Sequence, residues 1–361
     1  MKITCLIDNL SAGGAQRQIV MLAKLLNKAS HEVTVLTYYP QNFFLPDIIN
    51  SGVNYVCIDE PRILFRIYKI RKTLKLLNQD LVISYLKTPV FLAELSSIPH
   101  KKWKLIISER NADISNDKQL LYRRFFHLLS DYVIVNSYSN QMLINKNAPW
   151  LKKVETIYNC VDLEYFSPSA VKKNTLLENK LKIVAVGKYS NQKNIIGFIN
   201  AVYMAFKKHQ LDMQIDWYGD EVLNSNIYKE AVSEIKRLNL GHIFFLHGPS
   251  NSILEIYRKS SFLILPSFYE GIPNVVCEAM SCGLPILASN VCDNKKLVID
   301  MENGYLFDPN DISSISDTLV KFSKLTYDEK QLMGDNSRKN AEQLFSEDIF
   351  IEKYLKIIEG L

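Results

Sequence analysis

Glu270 and Glu278, two carboxylates eight residues apart, are the side chains best spaced to act together on a ligand. Between them run Gly271, Ile272, Pro273 and Asn274, and then a short apolar segment. Asn274 reads as a helix N-cap, and Pro273 restricts the entry to that helix. Val275, Ala279 and Cys282 recur at i, i+4 and i+7, which predicts one buried face. Gly283 and Pro285 are stop signals. Glu278 then lies one turn into the helix and Glu270 in the loop that feeds it. Free backbone N–H groups point out of a helix start. Carboxylates accept from hydroxyls and amides donate to oxygens, so the pattern suits a ligand rich in hydroxyl groups. Taken alone, the same spacing also fits a solvated loop and a surface glutamate.

Two other stretches have the makings of an anion site. Lys2–Ile7 reads as a buried strand that runs into Asn9-Leu10-Ser11-Ala12-Gly13-Gly14 and then a helix with Ile19, Leu22, Ala23 and Leu26 on one face. Strand, glycine turn and helix bring backbone N–H groups against an anion. The spacing is not G-x-G-x-x-G, and no acidic residue closes a following strand as in a dinucleotide site. Further on, the strand Leu181–Val186 leads into Gly187, Lys188 and, five residues later, Lys193. A helix follows, with Ile196, Ile199, Tyr203 and Phe206 expected on one face. Two lysines in a loop are ordinarily solvated, but beside a helix start they also suit a phosphate.

These residues need a frame. Short apolar runs at Glu32–Leu36, Asn54–Ile58, Leu81–Tyr85, Lys104–Ser108, Tyr132–Asn136 and Val154–Tyr158 are mostly separated by helical patterns. After a segment without periodicity (Ser167–Asn179) the alternation restarts, with runs at Met213–Gly219, Ile243–Gly248, Phe262–Pro266 and Pro285–Ser289. That alternation predicts α/β architecture: parallel sheets with helices on both faces. The 361 residues are enough for two such domains. From Ile312 onward the pattern is helical.

Composition narrows the classes. No run reaches ~18 apolar residues, so no transmembrane helix is expected. MKITCLIDNL is too short an apolar run for a signal peptide and carries Asp8. Six scattered cysteines without a C-x-x-C pair point to a reducing, cytoplasmic setting and away from zinc. Residues 1–170 hold 21 Lys and Arg against 14 Asp and Glu, while residues 171–361 hold 22 against 24. The basic first half implies an anionic partner, a membrane surface or phosphate groups. No nucleic-acid-binding motif is present, so nucleic acid is not expected. The segment 62–78, RILFRIYKIRKTLKLLN, carries six basic residues and no acid. On a helix, Ile63, Ile67, Ile70, Leu74 and Leu77 form an apolar stripe beside a basic one of Arg62, Arg66, Lys69 and Lys72.

The stretch EGIPNVVCEAMSCGLP (270–285) resembles the E-x7-E signature of retaining glycosyltransferases of the GT-B type, family 4. TIYNCVDLEYFSP (156–168), Gly13-Gly14-Ala15, Gly187–Asn194 and Gly304–Phe307 resemble further motifs of that family, in the same order. The resemblance implies a GT-B fold, two Rossmann-like doubly wound domains facing across a cleft. The implied division is 1–166, a linker at 167–180, a nucleotide-sugar-binding domain at 181–345, and a last helix at 346–361 returning to the first domain. The implied activity is retaining transfer of a hexose or N-acetylhexosamine from a nucleotide-diphosphate sugar, a UDP-sugar by family neighbourhood, to a glycan or lipid-linked glycan. Surface polysaccharide or lipopolysaccharide synthesis is the implied setting, and a peripheral place on the inner face of the membrane follows.

Carried over by residue, Glu270 holds donor-sugar hydroxyls with the N–H groups of Gly271, Ile272, Pro273-flanked backbone and Asn274. Glu278 binds the ribose. Lys188, Lys193 and the loop of Gly13 and Gly14 neutralise the diphosphate, and Gly219 and Gly248 lie where family members place the base. Lys188 replaces the usual Arg, which leaves a point charge where the family has a bidentate fork. Many members carry a His after the fifth strand of the first domain. Here the sequence is Ser108-Glu109-Arg110-Asn111, which makes Arg110 the first-domain catalytic candidate. No D-x-D pair is present. No metal or other cofactor is therefore expected. A nucleotide-sugar 2-epimerase of the same fold and a non-catalytic binding subunit are the rival readings.

Overall fold

The structure, a computed structural model, describes residues 1–110, 123–169, 180–222 and 225–361. The chain divides into two compact units, one of Met1–Cys160 with Glu347–Leu361 and one of Val161–Ser346. Most of the aperiodic stretch expected as a linker, 170–179, lies outside the described residues, as does Asn111.

The first unit is built on one parallel sheet. Its strands are β1 (Lys2–Leu6), β2 (Glu32–Thr37), β3 (Asn54–Cys57), β4 (Leu81–Tyr85), β5 (Lys104–Glu109), β6 (Tyr132–Val135) and β7 (Val154–Thr156). They lie in the order β3-β2-β1-β4-β5-β6-β7. β1 is an interior strand, with Ile3 opposite Val33 on one side and Leu81 on the other. All five residues of β4 are buried. Continuous burial is what a strand covered on both faces requires, and it explains unbroken apolar runs such as YVIV of β6. The helices α1 (Gly14–Lys28), α2 (Leu45–Asn50), α3 (Ile63–Leu76) and α4 (Lys87–Ser96) connect the first five strands.

The helix Glu347–Glu359 belongs to this unit, and its Phe350, Tyr354, Ile357 and Ile358 join the core formed by β1 and α1. Positions 350, 354, 357 and 358 share one helical face. The Tyr354 and Tyr85 hydroxyls are hydrogen-bonded at 2.5 Å in the fully buried interior.

The second unit repeats the arrangement. Its strands are β8 (Leu181–Val186), β9 (Met213–Tyr218), β10 (Phe244–His247), β11 (Phe262–Leu265), β12 (Ile286–Ser289) and β13 (Gly304–Phe307), in the order β10-β9-β8-β11-β12-β13. The strand β13 was visible in the sequence only as a motif. Val161–Phe166 sit with this unit: Val161 N–H donates to Phe345 O at 3.0 Å, and Arg338 donates to Leu163 O and Phe166 O. The helix Ile195–His209 buries Ile195, Phe198, Ile199, Val202 and Ala205. Its inner face is thus displaced by about one residue from the one expected. The helix is apolar nearly all round, so periodicity alone could not orient it.

Both sheets have the order of doubly wound folds. In such sheets the strand order reverses at one point, and ligands bind outside the carboxyl ends of the strands there. In the second unit the reversal lies between β8 and β11. The loop after β8 carries Lys188 and Lys193, and the loop after β11 carries Glu270.

Candidate active site

The loop after β11 is fixed at its base. Ser289 Oγ, at the end of β12, donates to Ser267 O at 2.6 Å, and Asn294 Nδ2 donates to Ser289 O at 3.0 Å. The helix Asn274–Ser281 follows. Asn274 is its first residue and not its cap. Pro273 takes the cap position with extended backbone, and its carbonyl accepts from the N–H groups of Val276 and Cys277. The Pro273 side chain itself makes no capping hydrogen bond. At the other end Gly283 adopts φ +70°, and the bonds Gly283 N to Met280 O and Leu284 N to Ala279 O close a Schellman turn. The helix is buried on more than the expected face: Val276 through Ser281 are all buried, whereas Val275 is partly exposed.

Neither glutamate is a solvated surface group. Glu270 is 7% exposed and Glu278 8%. Glu270 Oε1 accepts from Lys193 Nζ at 2.5 Å. Glu278 Oε2 accepts from the hydroxyl of Tyr257, which lies on the helix Ile253–Lys259, at 3.2 Å. Lys193 ends a single 3-10 turn, Asn191–Lys193, and Asn194 then turns left-handed at φ 53° to start the next helix. Gln192 secures this turn to the glutamate loop: its Nε2 donates to Tyr269 O and its carbonyl accepts from Phe268 N–H, both at 2.9 Å. Sequence reasoning missed Gln192 and Tyr257. Gln192 directly precedes Lys193, which was the signal available.

The lysine stem runs over Gly187, where an added Cβ would stand 3.1 Å from Lys193 Cδ and Cε. Gly219 presses on Gly187 in turn; a Cβ there would stand 2.0 Å from Gly187 O. The same carbonyl accepts from the Trp217 indole N–H at 2.8 Å. Gly219 N–H donates to His247 O, which places Gly219 against the end of β10, just before Gly248. A Cβ on Gly248 would meet nothing within 4 Å. Lys188 is exposed and has no hydrogen bond or ion pair among the described residues. The fold therefore joins Glu270 to Lys193 directly and leaves Lys188 facing solvent. Gly271 and Asn274 are partly exposed beside them, and Ile272 and Pro273 are buried.

In the first unit Gly13 caps α1 with extended backbone and Gly14 begins it. The Gln16 side chain folds back over Gly13, where a Cβ would stand 2.2 Å from its Oε1, and Gln16 Nε2 donates to Asp8 at 3.2 Å. Arg110 follows β5 directly. Its guanidinium lies 4.5 Å from the Tyr85 ring centroid, donates to Ser108 Oγ and Asn159 Oδ1, and is 8% exposed. It is a fixed cation at the carboxyl end of the sheet.

Next to it lies a cluster that sequence reading did not find. His127 Nδ1 bonds Glu94 at 2.5 Å and His127 Nε2 bonds Glu109 at 2.7 Å, while Arg124 reaches Glu109 at 3.5 Å. Burial opposes charge on the imidazole, but the bonds to Glu109 and Glu94 prevail and raise its pKa to about 9. Held as imidazolium, it donates from both nitrogens. Burial raises the Glu94 carboxyl. Burial acts the same way on Glu109, but the bond and charge of His127 outweigh it and lower that group. Among the described residues, no group of three or more His, Cys, Asp or Glu is placed to hold a metal ion.

The two halves of the chain resemble known proteins. Residues 167–340 match the family described as Glycosyl transferases group 1, and residues 12–165 match Glycosyltransferase Family 4. A UDP-Gal:alpha-D-GlcNAc-diphosphoundecaprenol alpha-1,3-galactosyltransferase of Escherichia coli is 34% identical over 178 residues, 47% of this chain and 45% of that protein. A GalNAc-alpha-(1->4)-GalNAc-alpha-(1->3)-diNAcBac-PP-undecaprenol alpha-1,4-N-acetyl-D-galactosaminyltransferase of Campylobacter jejuni is 24% identical over 371 residues, 99% and 98% of the two chains. The crystal structure of Anabaena Alr3699/HepE in complex with UDP and glucose superposes with a TM-score of 0.84 at 18% identity, covering 100% of both chains. The two parallel-sheet Rossmann-like units are those of the GT-B fold.

Proposed function

We propose that this chain, whose residues 12–165 and 167–340 match Glycosyltransferase Family 4 and Glycosyl transferases group 1, is itself a glycosyltransferase. It moves a hexose or N-acetylhexosamine from a nucleotide-diphosphate sugar, a UDP-sugar, to a lipid-linked glycan, with retention at the anomeric carbon. The observation that carries this reading is the Lys193–Glu270 pair at the reversal point of the second sheet. An ammonium suits the diphosphate, and a carboxylate beside it suits the hydroxyls of the attached sugar. The relatives in Escherichia coli and Campylobacter jejuni, whose names give undecaprenyl-diphosphate-linked acceptors, support a lipid-linked acceptor. The UDP bound to HepE supports the choice of nucleotide.

In this mechanism the donor diphosphate takes up the Lys193 ammonium, with Lys188 and the helix start at Asn274 completing the anion site. Charge on the departing diphosphate is stabilised as it develops, which lowers the barrier directly. Glu270, relieved of part of its partner, accepts from donor-sugar hydroxyls, and backbone N–H groups at Gly271, Ile272 and Asn274 donate to sugar oxygens. Glu278, oriented by Tyr257, accepts from the ribose. Gly219 and Gly248 lie beside the base at the strand ends, and the open space at Gly248 gives it room. Gly13 and Gly14 present the start of α1 to phosphate, and Arg110 is the catalytic candidate of the first unit. The acceptor attacks from the face that the leaving group vacates, so no protein nucleophile is used. The basic groups replace a metal, and the enzyme works peripherally on the cytoplasmic face of a membrane that holds its acceptor.

Incubation with UDP-sugars alone, and with a lipid-linked acceptor, tests the reading. A glycosylated lipid supports it. An epimerised sugar nucleotide would establish an epimerase instead, and no product alongside tight UDP binding would leave a binding subunit.

A further inference from the structure

The helix α3 has a second apolar face. Its inner face is Arg66, Ile70 and Leu74, all buried. Of the expected basic stripe only Arg66 leaves the surface; Arg62 and Lys72 are exposed and Lys69 is half-exposed. Arg66 turns inward and donates to Glu60 O at 2.8 Å, Pro61 O at 2.9 Å and Tyr39 Oη at 3.2 Å, with its guanidinium over Tyr38 and Tyr39. Arg62 and Lys69 both pair with Glu60 at 2.9 Å. The bonds from Arg62 and Lys69 hold the Glu60 carboxyl down at about 2.

What faces outward is Leu64, Phe65, Tyr68, Lys72, Lys75 and Leu76. Leu64 is 75% exposed, Tyr68 63%, Phe65 51% and Leu76 76%. On a helix these positions lie within one side, opposite Ile70. Single exposed apolar residues are ordinary, but four on one helix face mark a contact surface. Lys72 and Lys75 are exposed among them and have no ion pair or hydrogen bond with the described residues.

We propose that the outward face of α3 docks the first unit on an anionic lipid bilayer, inserting Leu64, Phe65 and Tyr68 at the headgroup boundary while Lys72 and Lys75 meet lipid phosphates. The proposal rests on the reading of a lipid-linked acceptor, and it names the element that carries the enzyme to it. Large apolar and aromatic side chains beside lysines on a helix lying in the interface plane are the composition such surfaces select. Charge complementarity decides the occupant. Residues 62–78 contain no acid. A second copy related by two-fold symmetry would bring this face against itself and oppose lysine to lysine. An anionic leaflet attracts both lysines.

The test is co-sedimentation of the full chain with phosphatidylcholine vesicles, with and without phosphatidylglycerol, at low and high salt. Wild type is expected to bind phosphatidylglycerol vesicles, and salt is expected to weaken the lipid preference without abolishing binding. Leu64→Asn with Phe65→Asn should lower partitioning at least ~10-fold on those vesicles, from lost apolar burial. Lys72→Gln with Lys75→Gln should lower it about 10-fold at low salt on phosphatidylglycerol and leave binding to phosphatidylcholine unchanged. Wild type that ignores phosphatidylglycerol vesicles, or an asparagine pair that binds as wild type does, would overturn the proposal. So would a dimer that the asparagine pair dissociates, without vesicle binding. Thermal shift by UDP, read on the same proteins, separates this outcome from failure of the transferase reading. UDP binding with no vesicle binding sinks the docking surface alone, whereas vesicle binding without UDP binding sinks the donor site alone.

Discussion

Lys193 and Glu270 answer to each other in stability and in rate. Their charged atoms are 2.5 Å apart, and their side chains are 17% and 8% exposed. Removing one member of a fully buried pair costs about 3–5 kcal/mol, because the other charge stays buried without a partner. The residual exposure of Lys193 admits some water, so Glu270→Gln or Lys193→Met should each lower stability by ~2–3 kcal/mol. That is a fall in Tm of roughly 4–12 °C for a unit of this size. The double variant leaves neither charge orphaned. It should recover much of the loss, with a coupling energy of ~1–3 kcal/mol. Differential scanning calorimetry of the four proteins measures the cycle. Rates should respond differently. Each single variant should lose at least ~100-fold in turnover, about 3 kcal/mol of transition-state stabilisation, and the double should regain none of it. Near wild-type turnover in folded Glu270→Gln, or strictly additive stability losses, would refute the reasoning.

Gly219→Ala places a Cβ 2.0 Å from Gly187 O; the loop carrying Lys188 and Lys193 must move, and UDP-sugar KM should rise at least ~10-fold, while unchanged kinetics would show that this contact does not position the loop. Transfer should persist in EDTA; activity abolished by the chelator and restored only by Mn²⁺ or Mg²⁺ would refute charge neutralisation by lysines. His127 is raised from 6.5 to about 9, so its contribution to stability is complete below pH 6.5 and is lost as pH rises through about 9. Urea titrations should show wild type losing stability across that window relative to His127→Gln; parallel curves would mean that the imidazole is not charged.

The frame was legible because parallel strands covered on both faces read as unbroken apolar runs, and helical stretches separate them. The glutamate and lysine positions were legible because local order carries them: Lys193 precedes a helix and Glu270 precedes another. What joins them was not, since a reversal in strand order sets residues 77 apart in contact. The Glu94–His127–Glu109 cluster gave no signal for the same reason: its members come from α4, β5 and a 3-10 turn at His127–Leu129 and share no period. On α3 the inner stripe at Ile70 and Leu74 was readable. The fate of Arg66 was not, because its acceptors at Tyr39, Glu60 and Pro61 come from the loops around it. A cation that finds three acceptors can be buried, and periodicity does not register acceptors.

The helix Glu347–Glu359 completes a core that Lys2–Leu6 begins, with the whole second unit between them in sequence. On the ribosome the first sheet emerges with the seat of that helix open. Ile3, Cys5 and Tyr85 border apolar surface that nothing yet covers, and the Tyr85 hydroxyl has no Tyr354 to meet. The nascent protein therefore holds its first unit unfinished while its second one folds, and the Tyr85 ring that backs Arg110 gains its hydrogen-bond partner late in synthesis. A recombinant fragment ending near Cys160 would be held permanently at that stage, prone to aggregate through the vacant seat, and supplying residues 347–361 as a separate peptide should close it.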